Sequence, residues 1–153
     1  MKSMNPPAIC FYKPNEAFGL LTNFARLPIE VDGKVWPTTE HYFQAQKFHD
    51  EAYREQIRTA ETPRIAADLG RSRDVPLRTD WEAIKDDVMR RAIVEKVRQH
   101  QSVREVLLST GDSLLVEHTP RDSYWGDGGD GSGKNMLGKI LMEARRKLQS
   151  GDL

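Results

Sequence analysis

The chain has 153 residues, 38% of them hydrophobic and 30% charged, a balance that suits one globular domain and leaves no room for a second. Lys plus Arg and Asp plus Glu each number 23, so the net charge of zero argues against nucleic-acid or membrane binding driven by overall charge and points to a small or locally recognised partner. Cys10 is the single cysteine, which rules out an intramolecular disulfide and any multi-cysteine zinc site. With no leader-like segment and no apolar run near about 18 residues, no membrane partner is indicated and the expected setting is the cytoplasm.

Taken in order, Ala8–Tyr12 is a short apolar run after Pro6-Pro7 and before Lys13-Pro14-Asn15, the pattern of a buried strand with Cys10 in the core. Glu16–Phe24 suits a packed loop, in which Asn23 either satisfies backbone groups or meets a ligand, the former being favoured on this pattern. Ile29–Val31 and Lys34–Trp36 flank Asp32-Gly33, the pair that a type I′ turn favours, and predict a hairpin. Thr38 is the expected N-cap of a helix running to about His49, which places Glu40 in its first turn. Acids are common there for stability alone, at about 0.3–1 kcal/mol, and the local pattern favours that reason for Glu40. Helical periodicity to His49 would bring Lys47 to the same side as Glu40, beside His41, Tyr42, Gln44 and Gln46, where they could line a polar pocket.

A helix over about Glu51–Arg58 follows, then one from a Thr62 cap with Pro63 at its first position to Gly70 as its stop. Arg64, Arg71 and Arg73 gather near its end; such arginines are more often solvated than bound to phosphate. Thr79-Asp-Trp-Glu82 reads as a capping box opening the longest helix, to about His100, with Trp81, Ile84, Val88, Met89, Ala92, Ile93 and Val97 as its core stripe. Ser102-Val-Arg-Glu105 reads as a second capping box, on a short helix ended by Gly111. Ser113–Val116 then resembles a strand, and Met136–Leu148 a helix burying Leu137, Ile140, Leu141, Ala144 and Leu148.

Between these last two lies the oddest stretch of the chain, Arg121–Asn135, where glycines alternate with Tyr124, Trp125, Asp127, Asp130, Lys134 and Asn135. Gly128 to Lys134 reproduces Gly-x-x-x-x-Gly-Lys, yet Asn135 stands where a Mg²⁺-binding Ser or Thr is needed and no strand runs tightly into the loop, so a nucleotide triphosphatase is rejected. Asp127-x-x-Asp130-x-Ser132 lacks the alternating acids and final Glu of a Ca²⁺ loop. A site loop positioned by the helix behind it is the favoured reading, against glycines that only form a surface turn. The four histidines show no metal-ligand spacing and no nucleophile elbow is present, which leaves carboxylate chemistry.

Asn23-Phe24, Trp36-Pro-Thr-Thr-Glu-His-Tyr-Phe-Gln-Ala-Gln-Lys47, Gly70-Arg71, the Trp81 helix, Tyr124-Trp-Gly-Asp-Gly and Gly133-Lys-Asn-Met-Leu-Gly138 together resemble the YbiA-type NADAR family over nearly the whole chain. Met136 departs from the basic residue expected there. The resemblance implies a single α+β domain over residues 1–153, mainly helical, with a few short strands and a hairpin. It also implies an N-glycosidase acting on ribosylamino-pyrimidine 5′-phosphates of early riboflavin synthesis, with Glu40, Trp125 and Asp127 catalytic. Glu40 thereby becomes a residue of the reaction rather than of stability alone. Asn23, Phe24, Lys47, Arg71, Tyr124, Gly126, Lys134 and Asn135 are the implied substrate contacts, and no metal or cofactor is expected. An ADP-ribosyl hydrolase acting on guanine bases of nucleic acid, and a non-catalytic ADP-ribose or nucleotide-binding module, are the alternatives. In either enzymatic reading the transition state develops positive charge on the ribosyl carbon, which carboxylates can stabilise.

Overall fold

Asp32 and Gly33 both take positive φ, 53° and 79°, the backbone a type I′ turn demands, and they join β2 (Ile29–Val31) to β3 (Lys34–Trp36) as an antiparallel hairpin with Ile29 opposite Trp36. The computed structural model describes residues 7–153; Pro6, the first of the two prolines expected to bound the opening strand, lies outside them. Six α-helices and four strands are seen among the described residues, which makes the fold α+β and mainly helical. The chain divides into two compact units, Asn23–Gln99 and a second that joins the N-terminal residues up to Thr22 with His100–Leu153. No helix among the described residues is long and apolar enough to cross a membrane.

The Asn23–Gln99 unit is organised around α1 (Thr39–Ala45), which packs against β3, α2 (Glu51–Arg58), α3 (Pro63–Arg71) and α4 (Trp81–Gln99). Thr38 caps α1 as expected, accepting from His41 N, and Thr62 and Pro63 open α3 as expected. Ile29, Trp36, Tyr42, Phe48, Ile57, Ala66 and Ala92 form one buried cluster. His41 is fully buried within this unit, with Nδ1 2.8 Å from Thr38 Oγ1 and Nε2 3.0 Å from Ala60 O; burial lowers its pKa, so it serves as a neutral core residue.

Three boundaries in this unit differ from expectation. The first helix stops at Ala45, not His49: Lys47 N and Phe48 N donate only three residues back, to Gln44 O and Ala45 O (both 3.3 Å), and Phe48 turns into the core. Gly70 is not a stop but lies inside α3, which runs on to Arg71 with Ser72 as its C-cap. A Cβ at Gly70 would fall 1.9 Å from Gln44 Oε1, so close packing on α1 is what requires glycine. The longest helix opens one residue later than a Thr79 cap would place it, since Ala83 N and Ile84 N both donate to Asp80 O and the Asp80 carboxylate pairs with Arg78. Its stripe is buried at Trp81, Met89, Ala92, Ile93 and Val97, while Ile84 and Val88 are only half-buried.

In the other unit β1 (Ile9–Phe11) pairs in parallel with β4 (Leu115–Glu117), Ile9 opposite Leu115. Alternation along so short a strand buries Phe11 and turns Cys10 outward, so Cys10 is exposed rather than core. A single 3₁₀ turn, Gly19–Leu21, interrupts the loop that follows β1. The short helix α5 (Gln101–Ser109) begins after His100, which places Ser102 inside the first turn and removes it as a cap. Gly111, φ 58°, ends that helix as its composition implies. The last helix, α6 (Met136–Gln149), packs on β4 and α5, with Leu148 half-buried rather than core.

Helix α6 approaches β4 so closely that a Cβ at Gly138 would lie 2.0 Å from Leu115 O and 2.3 Å from Asn135 Nδ2. Gly138→Ala should therefore cost about 3 kcal/mol, roughly 6–12 °C of thermal midpoint by calorimetry. Gly131→Ala, where the φ of 87° is the only obstacle and nothing lies within 4 Å, should cost about half as much.

Candidate functional site

The expected site residues fall into two groups, one in each unit. In the Asn23–Gln99 unit, Asn23 Oδ1 accepts from Thr39 Oγ1 at 2.8 Å, Asn23 Nδ2 donates to Met89 Sδ at 3.5 Å, and Asn23 O accepts from Glu40 N at 3.2 Å. Asn23 is thus the residue that ties the loop before β2 to the first turn of α1. Glu40 is half-buried at that turn, and its Oε1 accepts from Gln44 Nε2 at 2.7 Å. Gln44 in turn lies over Gly70, so Asn23, Glu40 and Gln44 are held as one assembly. Sequence reading placed Gln44 in a polar set without giving it a role; its i+4 spacing from Glu40 was the available signal.

Lys47 lies beyond the end of α1, so helical periodicity does not set its direction; its ammonium sits 5.7 Å from the centre of the Phe43 ring. Phe24 is half-buried beside Asn23 in sequence. The arginine cluster is largely spoken for. Arg71 pairs with Asp68, Arg64 lies 3.8 Å from the same carboxylate, and Arg73 donates to Gly70 O at 2.8 Å.

The second group is the loop 117–135, and it is built around one carboxylate. Asp127, 6% exposed, accepts at Oδ1 from Thr119 N (3.0 Å) and Gly129 N (2.8 Å) and at Oδ2 from His118 Nδ1 (2.7 Å). The hydrogen bond from His118 first, then those from Gly129 and Thr119, hold its pKa below the ordinary carboxylate range against the opposing effect of burial. Because an ionised carboxylate only accepts, the bonded Nδ1 of His118 must carry the proton. His118 was not singled out by sequence, where a scattered histidine gives no sign of the acid nine residues on.

Backbone bonds complete the loop. Asp127 N donates to Glu117 O, Gly128 N to Asp122 O, Gly133 N to Asp127 O, and Lys134 N to Ser123 O, all at 2.8–3.0 Å. Asp122 Oδ1 accepts from both Tyr124 N and Trp125 N, at 2.9 and 2.8 Å, which sets the two rings 4.9 Å apart and nearly perpendicular. Lys134 places its ammonium 5.3 Å from the Tyr124 ring. Gly126 is buried where a Cβ would meet Glu117 O and Asp122 O at 2.9 Å, and its carbonyl accepts from Asn135 N. The first amides of α6, Met136 N and Leu137 N, are taken by Tyr124 O and Trp125 O, so this helix start does not present the free amides of a phosphate loop.

Asn135 stands at φ 53° and ψ 44°, and its side-chain amide extends β4: Oδ1 accepts from Glu117 N at 3.0 Å and Nδ2 donates to Leu115 O at 2.9 Å. Chemically, the loop offers a fixed anion at Asp127 and an aromatic face at Tyr124 and Trp125. The helix group offers a carboxylate at Glu40. No group of three or more His, Cys, Asp or Glu able to hold a metal occurs among the described residues. Asn135→Ala, which loses two hydrogen bonds and keeps the left-handed backbone, should cost about 2–4 kcal/mol of stability in denaturant titration. An unchanged unfolding free energy would count against its role in the fold.

Residues 10–149 match the NADAR domain. The chain is 54% identical over 145 residues to N-glycosidase YbiA of Escherichia coli K12, covering 95% of this chain and 91% of that protein. It is 46% identical over 141 residues to a riboflavin biosynthesis protein of Vibrio vulnificus, covering 92% of this chain but 38% of that longer one. Its structure is similar to the NMR structure of E. coli YbiA, with a TM-score of 0.88 at 53% identity over 97% of this chain and 89% of that one. The chain is therefore a YbiA-like member of the NADAR domain family.

Proposed function

We propose that this chain is an N-glycosidase that hydrolyses the ribosyl C1′–N bond of ribosylamino-pyrimidine 5′-phosphates, reactive intermediates of early riboflavin synthesis. The relationship over nearly the full length to an N-glycosidase carries this reading, and the riboflavin biosynthesis relative supports the substrate class. Water adds to C1′, the C1′–N bond breaks, and the pyrimidine amine leaves with a proton, giving ribose 5-phosphate. Residues 1–153 act as one NADAR domain in this proposal, a reading supported by a family match that spans both units. A reducing cytoplasm, in which Cys10 stays a thiol, is the proposed setting.

The environments of the two carboxylates support different roles for them in this proposal. Asp127, held ionised by three donors, stabilises positive charge on the ribose and is unsuited to donate a proton. Glu40 therefore handles the proton, at the leaving amine or at the attacking water. Trp125 supplies a face for the base, and Lys134 and Arg71 draw the phosphate, Arg71 by exchanging its present partner Asp68. Asn23, Phe24, Lys47, Tyr124, Gly126 and Asn135 complete the proposed substrate-binding set; for Asn23, Gly126 and Asn135 the observed bonds favour an indirect part, through shaping the backbone.

Purified protein should turn over the riboflavin intermediates many times, and activity confined to ADP-ribosylated guanine would replace this substrate with the nucleic-acid one. Glu40→Gln should lower kcat by about 10²-fold or more with KM nearly unchanged and a thermal midpoint within a few degrees of wild type. Trp125→Ala should raise KM as well as lower kcat. A folded Glu40→Gln protein with wild-type kcat would remove Glu40 from the chemistry.

A further inference from the structure

The Gln44 amide meets two neighbours of opposite demand. Its Nε2 donates to Glu40 Oε1 at 2.7 Å, one turn back along α1, while its own Oε1 is buried without a hydrogen-bond partner. That oxygen lies over the bare Cα of Gly70 on α3, where a Cβ would stand 1.9 Å away. An unmet buried acceptor costs about 1–3 kcal/mol, a cost that a side chain with no other obligation would avoid. Turning the amide over gains nothing. It would set the carbonyl oxygen of Gln44 against a Glu40 oxygen at hydrogen-bond distance, acceptor facing acceptor for as long as Glu40 is ionised. The carboxylate thus fixes which way the amide points, and the packing of α3 on α1 fixes where it sits.

We propose that Gln44 is a positioning residue for the hydrolysis, holding the Glu40 carboxylate in one rotamer through its Nε2–H while Gly70 leaves the space the amide needs. This rests on Glu40 carrying the proton, as proposed above. The backbone of Glu40 is anchored separately, through its N–H to Asn23 O, so Gln44 governs the side chain rather than the helix start. The buried, unmet oxygen is what distinguishes this from an ordinary i,i+4 pair on a helix surface, which stabilises the helix without any such cost. A residue kept only for stability at this position would be apolar and of similar length.

The test measures kcat, KM and thermal midpoint for wild type, Gln44→Met, Glu40→Gln and the double variant, on a ribosylamino-pyrimidine 5′-phosphate. Gln44→Met keeps the length of the side chain and removes the unmet oxygen, so its midpoint should equal or exceed that of wild type. Its kcat should fall about 10- to 100-fold through loss of alignment, with KM within about threefold. In the double variant the two losses should not multiply, because Gln44 acts only through Glu40. Wild-type kcat in Gln44→Met, or losses that multiply, would overturn the proposal while a defective Glu40→Gln left the role of Glu40 standing. Should Gln44→Met not fold, Gln44→Leu takes its place, and failure of both to fold would assign Gln44 to the fold and overturn the proposal as well. Wild-type kcat in Glu40→Gln is a separate result, which removes the underlying reading and this one with it.

Discussion

The Asp127 carboxylate is the constraint on which the glycine-rich loop depends. A segment with so many glycines has a large conformational entropy to lose, about 1–2 kcal/mol per residue and more for glycine. Its side chains are too few to offset that by burial. What orders it is hydrogen bonding, and Asp127 supplies three of the bonds from one buried group, reaching back to His118 and Thr119 and forward to Gly129. The carbonyls of Tyr124 and Trp125 then meet the first amides of α6, and Asn135 closes the loop onto β4. Since the folded Asp127 has a lower pKa than its unfolded counterpart, near 3.9, the stability it contributes is present above that value. It is lost as pH falls through the folded one.

In the proposed reaction the same arrangement gives the two carboxylates different parts. An acid bonded by two backbone amides and a histidine is an anion at neutral pH, suited to facing a cation and unsuited to delivering a proton. Glu40 sits elsewhere, at a helix start whose backbone is tied to Asn23 and whose side chain is tied to Gln44. Division of labour between two carboxylates held in different environments is a general route to acid and base chemistry at one pH. Here the difference is visible in the partners of each group.

Local signals carried far in the sequence and non-local ones did not. Asp32-Gly33, Thr38, Thr62-Pro63 and Gly111 each act within a few residues, and each does in the structure what its type implies. The end of α1 was illegible because it is set by Phe48 turning into a core built from other elements, and Arg78, about thirty residues on, then meets the carbonyls of Gln46 and Lys47. Gly70 looks the same in sequence whether it stops a helix or makes room for a neighbour, and only Gln44 on another helix decides. Cys10 was misplaced because a three-residue strand covered on one side exposes its middle residue. The motifs around Glu40 and Asp127 identified the family. Gln44, which holds Glu40, lies in the same motif at an i+4 spacing, whereas His118, which holds Asp127, lies before its motif and announces itself only through geometry.

Titration of the Asp127 carboxyl carbon by NMR, in the folded protein, tests the account most directly. Three donors on one buried carboxylate require a midpoint below the usual value of about 3.9, with the Thr119 and Gly129 amide protons shifting at the same pH. A midpoint above that value, or loop amides that ignore it, would contradict the origin of the loop's order, and a midpoint near neutrality would contradict the assignment of the proton to Glu40 as well.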